Sequence, residues 1–324
     1  MLDFKFKLEL CGQIHKVHVK TQDEKLPVLL FLHGGPGVCN RHNIMTEHLD
    51  LLDTFTIVCY DQRGTGGSYK GCKKESLTVD QLVKDASELV NWLCRRFNKD
   101  KIFIIGGSWG SALGSLLACR YPEHIGAYVG FGQMADGTLN EDISYAFALE
   151  EARKAGDEKS VKALEELGAP VLGQYKGGYK GMMIQRNIMM KYGGYSKNSK
   201  KRSYGSSMVK PMLLSGEYSP SDLWGIIKGH EIVLETMWPE VGAMNLSKMC
   251  QEFKMPYFVF DGILDKNTPA ELVQEYFDGI KAPKKELIWF ENSGHNPMND
   301  EPQRFKDLLR LKLTAVMDES PCRI

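Results

Sequence analysis

Short, unbroken apolar runs alternate along this chain with longer stretches in which apolar residues recur every three or four positions. The exception is the start, where Phe4–Leu10 and Gln13–Val19 alternate with period two around Cys11-Gly12 and predict an antiparallel hairpin. Pro27–Leu32 (PVLLFL) stops at a Gly/Pro cluster, and Phe55–Tyr60 (FTIVCY) stops at Asp61. Runs of this kind read as strands buried on both faces. Leu77–Phe97 carries Val79, Leu82, Val83, Ala86, Leu89, Val90 and Leu93 at helical spacing, and Thr78 with Gln81 predicts a capping box at its start. A strand at Lys101–Ile105, a helix from about Ser111 to Tyr121 and a strand at Ile125–Phe131 follow. This order predicts right-handed βαβ units and a mainly parallel sheet with helices on both faces.

After Phe131 the rhythm changes. Residues 133–250 read as helices joined by Gly-, Tyr- and Met-rich connections, without a buried strand. The sheet pattern returns at Tyr257–Phe260, continues through a helix at Pro269–Phe277 and a strand at Glu286–Phe290, and closes with a helix at Glu301–Met317. The predicted organisation is an α/β core in two parts, 1–132 and 251–324, with a helical cap over 133–250 inserted between them.

Composition narrows the function. Lys+Arg and Asp+Glu balance at 41 each, so no global field draws the protein to nucleic acid or to an acidic membrane, and the expected partner is a small molecule or short peptide. The Lys197–Arg202 cluster reads as a solvated loop tip. The N-terminus lacks the apolar stretch of a signal peptide, and no segment is long and apolar enough to span a bilayer. The eight cysteines contain no CxxC pair, which argues against a disulfide framework or zinc site and for the reducing cytoplasm. Oligomeric state is not encoded at this level.

Gly106-Gly107-Ser108-Trp109-Gly110 fits G-x-S-x-G between a predicted strand and a predicted helix, the context of a nucleophile elbow. A serine hydroxyl needs a base, and the base needs an orienting acid, in the chain order Ser, acid, His. His295, in Asn292–Pro297, is the histidine with that order and a loop position; His33, His124 and His230 read as structural or pocket-lining. The acid lies in Asp261–Pro269, where Asp265 on the exit loop is preferred over Asp261 at the strand end. Thr268-Pro269 predicts N-cap and N1 of the next helix. Oxyanion donors are expected from the N–H of Trp109 and from the loop His33–Gly37, with Gly35 preferred and Gly34 the alternative. That loop is not a phosphate cradle, because no Lys-Ser/Thr and no GxGxxG accompanies it.

HGGPG at 33–37, DQRGTGGS at 61–68 and GGSWGS at 106–111, with the segments around Asp265 and His295, make the sequence similar to the proline iminopeptidases of the α/β-hydrolase fold. The match covers roughly residues 25–131 and 255–315. The resemblance implies a serine aminopeptidase that releases an N-terminal residue, often proline, from short peptides without metal or organic cofactor. It also implies that cap carboxylates hold the substrate's free amine. Candidates are Glu217, Asp222, Glu231 and Glu235, with Trp224 among the apolar lid residues. Gly34, Glu217, Glu231 and Trp224 are carried forward as substrate-binding candidates. The sequence departs from the pattern at Lys266, where some relatives have an acidic residue, and lacks a Trp-x-x-Trp-Glu motif. The other reading is a carboxylesterase or lactonase with the same three residues. An epoxide or haloalkane hydrolase would need a carboxylate at the elbow, where Ser108 stands.

Overall fold

The computed structural model describes residues 1–196, 211–320 and 324. The Lys197–Arg202 cluster and Cys322 lie outside them. One eight-stranded sheet has the order β1-β2-β4-β3-β5-β6-β7-β8. The hairpin strands β1 (Leu2–Leu10) and β2 (Gln13–Thr21) pair antiparallel, and β2 joins β4 (Thr56–Tyr60) antiparallel. From β4 the pairing is parallel through β3 (Val28–Leu32), β5 (Ile102–Gly107), β6 (Ile125–Phe131), β7 (Tyr257–Gly262) and β8 (Lys285–Phe290).

The apolar runs are unbroken because both faces are covered. Val28, Leu30 and Leu32 of β3 point into a core shared with α2 (Val79–Phe97) and α3 (Trp109–Arg120). Leu29 and Phe31 point the other way, into a core shared with α1 (Arg41–Glu47) and the C-terminal helix. Thr78 caps α2 by accepting the Gln81 N–H at 3.2 Å, but the box is not reciprocal. The Gln81 amide goes to Asp85 at 2.9 Å, and Asp85 holds Arg63 of the DQRG segment through two 2.7 Å bonds.

The sheet ends β6 at Phe131 and resumes at Tyr257. Between them lie α4 (Gly137–Lys154), α5 (Glu158–Leu167), α6 (Tyr179–Lys191), α7 (Pro220–Gly242) and the short α8 (Leu246–Met249). Tyr145, Leu164, Met182 and Met189 form a small core of their own there. The second part of the core supplies α9 (Ala270–Gly279), α10 (Pro297–Asp300) and α11 (Pro302–Asp318). The α9 helix starts one residue later than its Thr-Pro signature predicts: Pro269 is the N-cap, and the Thr268 hydroxyl is used elsewhere.

A buried charge cluster docks α7 on the core. Arg41, 1% exposed at its side chain, pairs with Asp61 and, at 2.8 Å, with Asp222. Asp222 also takes Lys16 at 3.0 Å. Glu217 lies 3.0 Å from Lys5 and 2.9 Å from His18, both on the hairpin. Burial alone would raise the Glu217 carboxyl, but His18 and Lys5 outweigh it and hold it at about 2, against an ordinary 4.5. A depressed carboxylate stabilises the fold fully above its unfolded value and loses that contribution as pH falls through the folded one. The expected outcome is a melting temperature for Glu217→Gln several degrees below wild type at neutral pH. The gap should close between pH 4.5 and about 2. A gap that stays constant over that range, followed by calorimetry, would show that the Glu217 carboxylate's pairs with Lys5 and His18 do not stabilise the fold.

Candidate active site

Ser108 sits between β5 and α3 with φ 56° and ψ −128°, a left-handed backbone that a non-glycine residue adopts only under constraint. The constraint is close packing. A Cβ on Gly106 would lie 2.1 Å from the Gly110 carbonyl oxygen, and one on Gly110 would lie 2.1 Å from that of Leu32 in β3. No residue other than glycine fits either place. The Ser108 N–H donates to Phe131 O at 3.0 Å, tying the turn to β6.

His33–Gly37 leaves β3 beside this turn. Ser108 Cβ is the nearest atom, at 3.2 Å, to where a Cβ on Gly34 would stand. His33 is fully buried, and burial lowers its pKa, so it is neutral. Its Nδ1 lies 2.9 Å from Gly34 O, and its Nε2 accepts the Gln62 N–H at 3.0 Å. The Gln62 side chain completes the join, donating to His33 O at 2.8 Å and accepting the Trp109 indole N–H at 2.9 Å. Gln62 therefore ties the oxyanion-loop candidate to the elbow, a role that the DQRG motif alone did not disclose.

Asp265 and His295 meet across neighbouring loops. His295 Nδ1 donates to Asp265 Oδ2 at 2.7 Å. The same oxygen accepts the Thr268 hydroxyl at 2.5 Å, while Oδ1 accepts the N–H groups of Asn267 and Thr268 at 2.7 and 3.1 Å. Asp261 makes no bond to the imidazole. It accepts the N–H groups of Gly132, Gln133 and Gly262 at 2.9–3.1 Å, and so clamps the start of the cap to the end of β7. Burial, and then the Asp265 charge, push Asp261 well above the ordinary carboxylate range.

Ser108, Trp109, Gly34, Gly35 and His295 all line one cavity of about 460 Å³. Its cap wall is largely apolar, with Met182, Met183, Met190, Leu234 and Trp238. Arg186 is the one Lys or Arg among the described wall residues, and Glu141 meets its charge at 2.9 Å. The core wall carries His42, which burial lowers to about 4 and so keeps neutral near pH 7, and two acids, Glu47 and Asp300. The substrate-binding candidates of the cap lie elsewhere. Glu217 faces the hairpin, Glu231 is exposed, and Trp224 is 58% exposed under Lys228. None of the three is on the cavity wall: α7 turns Trp224 and Glu231 toward solvent, and Glu217, just before that helix, is held by Lys5 and His18.

The chain matches the family described as alpha/beta hydrolase fold over residues 27–170. It is 28% identical over 292 residues to the probable aminopeptidase YbaC of Bacillus subtilis, covering 89% of each chain. It is 25% identical to a proline iminopeptidase of Clostridium botulinum over 87% of each. The crystal structure of a Mycobacterium smegmatis proline iminopeptidase superposes with a TM-score of 0.66 over 97% of this chain and 98% of that one, at 18% identity. The protein has the α/β-hydrolase fold. Within that fold its sequence is similar to the proline iminopeptidases.

Gln62→Leu would leave the His33 carbonyl and the Trp109 indole N–H buried without partners. It is expected to destabilise the fold by about 2–4 kcal/mol. Urea unfolding measures this, and an unchanged midpoint would show that Gln62 bridges nothing of consequence.

Proposed function

We propose that the protein is a serine hydrolase that cleaves small acyl substrates through an acyl-enzyme, most simply an aminopeptidase of proline iminopeptidase type. The observation that carries the chemistry is the 2.7 Å bond from His295 Nδ1 to Asp265, with His295 and the Ser108 elbow opening on the same cavity. His295 takes the Ser108 proton as the oxygen attacks the carbonyl. Asp265 holds the tautomer, and the N–H groups of Trp109 and Gly35 stabilise the oxyanion. The leaving amine collects the proton from His295, and water then repeats the cycle. The similarity to a probable aminopeptidase over 89% of each chain supports the finer reading. A free amine on the substrate would find Asp300 or Glu47 on the core wall.

A second reading, a carboxylesterase or lactonase, is favoured by the cap. None of the cap residues described on the cavity wall is acidic, and the sequence from 197 to 210 contains no Asp or Glu. An ester needs no carboxylate partner.

Ser108→Ala is expected to lower kcat by several orders of magnitude, and Asp265→Asn by roughly 10⁴-fold. Asp261→Asn should act on stability instead; a larger kcat loss there than at Asp265 would exchange their roles. The readings are separated by assaying L-prolyl- and L-alanyl-p-nitroanilide beside p-nitrophenyl acetate and butyrate. Anilide turnover abolished by N-acetylation establishes the aminopeptidase, whereas turnover of the esters alone establishes the esterase.

A further inference from the structure

Three consecutive cap residues are bonded directly to the loops that carry Asp265 and His295. The N–H of Lys266, next to Asp265, donates to Gly194 O at 2.8 Å. The N–H of His295 itself donates to Tyr195 O at 2.7 Å. Ser196 Oγ donates to Asp300 Oδ1 at 2.8 Å, and Asp300 Oδ2 accepts the Gly294 N–H at 3.1 Å. The fit leaves no slack: a Cβ on Gly294 would lie 2.2 Å from Tyr195 O. On its other side the segment is seated in the cap. A Cβ on Gly194 would lie 2.6 Å from the Phe147 ring of α4 and 2.8 Å from Met189 Sδ of α6.

The Tyr195 ring completes the contact. Its centroid stands 4.8 Å from that of the His295 imidazole, tilted 52°, on the wall of the cavity. Asn267 also covers the imidazole. Its Nδ2 is 3.1 Å from Nε2 and 3.5 Å from Nδ1, two distances so similar that the amide lies over the ring face rather than along either lone pair. The bond to Asp265 pins one edge of the imidazole. An imidazole pinned at one edge still rotates about that bond, and a base displaced by about 1 Å loses much of its effect.

We propose that Tyr195 is a positioning residue for His295: its carbonyl fixes the histidine backbone, and its ring fixes the plane of the imidazole. The cap then serves the chemistry as well as covering the cavity. This rests on the reading of Ser108 and His295 as nucleophile and base. The sequence hid it, because Tyr195 reads as one of many cap tyrosines and precedes the triad loops by 70 residues or more.

The test uses the rate of Ser108 phosphonylation by a small fluorophosphonate, which requires no knowledge of the substrate. The Ser108 oxygen forms the P–O bond, fluoride leaves with the P–F electrons, and His295 takes the hydroxyl proton. Ser108→Ala is the unlabelled control. Tyr195→Leu, at a melting temperature matching wild type, is expected to slow labelling by about tenfold or more. Tyr195→Phe, which keeps the ring, should restore most of the rate. Gly294→Ala disturbs the same contact from the core side with Tyr195 intact and should slow labelling as Leu does, so the result does not hang on one variant's folding. Labelling of Tyr195→Leu at the wild-type rate overturns the inference alone, as does a Phe variant as slow as Leu. A wild-type protein that does not label overturns the reading of Ser108, and this inference falls with it.

Discussion

Everything in the site depends on how closely α3 approaches the ends of β3 and β5. At Gly106 and Gly110 the backbones touch with no room for a single methyl group, and that approach drives Ser108 into its left-handed conformation. Such a backbone costs about 1–3 kcal/mol, so the surroundings must over-determine it. They do so from three sides: the bond to Phe131 O, the packed Leu32 carbonyl, and the Gln62 amide spanning His33 and Trp109. The same packing that strains the serine brings the glycine loop after β3 alongside it.

The carboxylates divide the remaining work according to their partners. Asp265 spends one oxygen on the imidazole and the Thr268 hydroxyl and the other on backbone N–H groups. Asp261, four residues earlier, spends all its bonds on backbone and holds the cap's starting point. Asp222 and Glu217 answer the buried Arg41 and the hairpin lysines. The cap is therefore fastened to the core in two ways. Charge fastens α7 near the hairpin, while the Gly194 and Tyr195 carbonyls and the Ser196 hydroxyl fasten the segment 194–196 to the loops around Asp265 and His295. Buried ion pairs of this kind are costly to break singly, because the abandoned charge stays buried.

Much of this was legible in the chain. The strands fell within a residue or two of their predicted places: the inner ones because burial on both faces leaves an unbroken apolar run, as in β6 at Ile125–Phe131, and the hairpin because its residues alternate. Ser108, Asp265 and His295 stood out as candidates because glycine punctuation marks the turns that carry them. The misjudged details share one cause. Thr268 has the chemistry of an N-cap, yet its hydroxyl faces Asp265 and His295, and the helix begins one residue later. Gln81 has the chemistry of a capping box, yet its amide serves Asp85. A side chain with two possible partners takes the one that tertiary packing brings near.

The sequence by itself determined the sheet, the run of helices between β6 and β7 and the residue types around the elbow, since these follow from local periodicity and from turns that only certain residues can make. Tertiary structure alone decided which acids serve the cavity and which serve the fold. Glu217 reads as a free cap carboxylate until Lys5, 212 positions away, is seen beside it. Tyr195 reads as lid packing until its carbonyl is found on the His295 amide. Both outcomes turn on partners remote in the chain, and no local pattern of apolar and polar residues encodes which remote groups will meet.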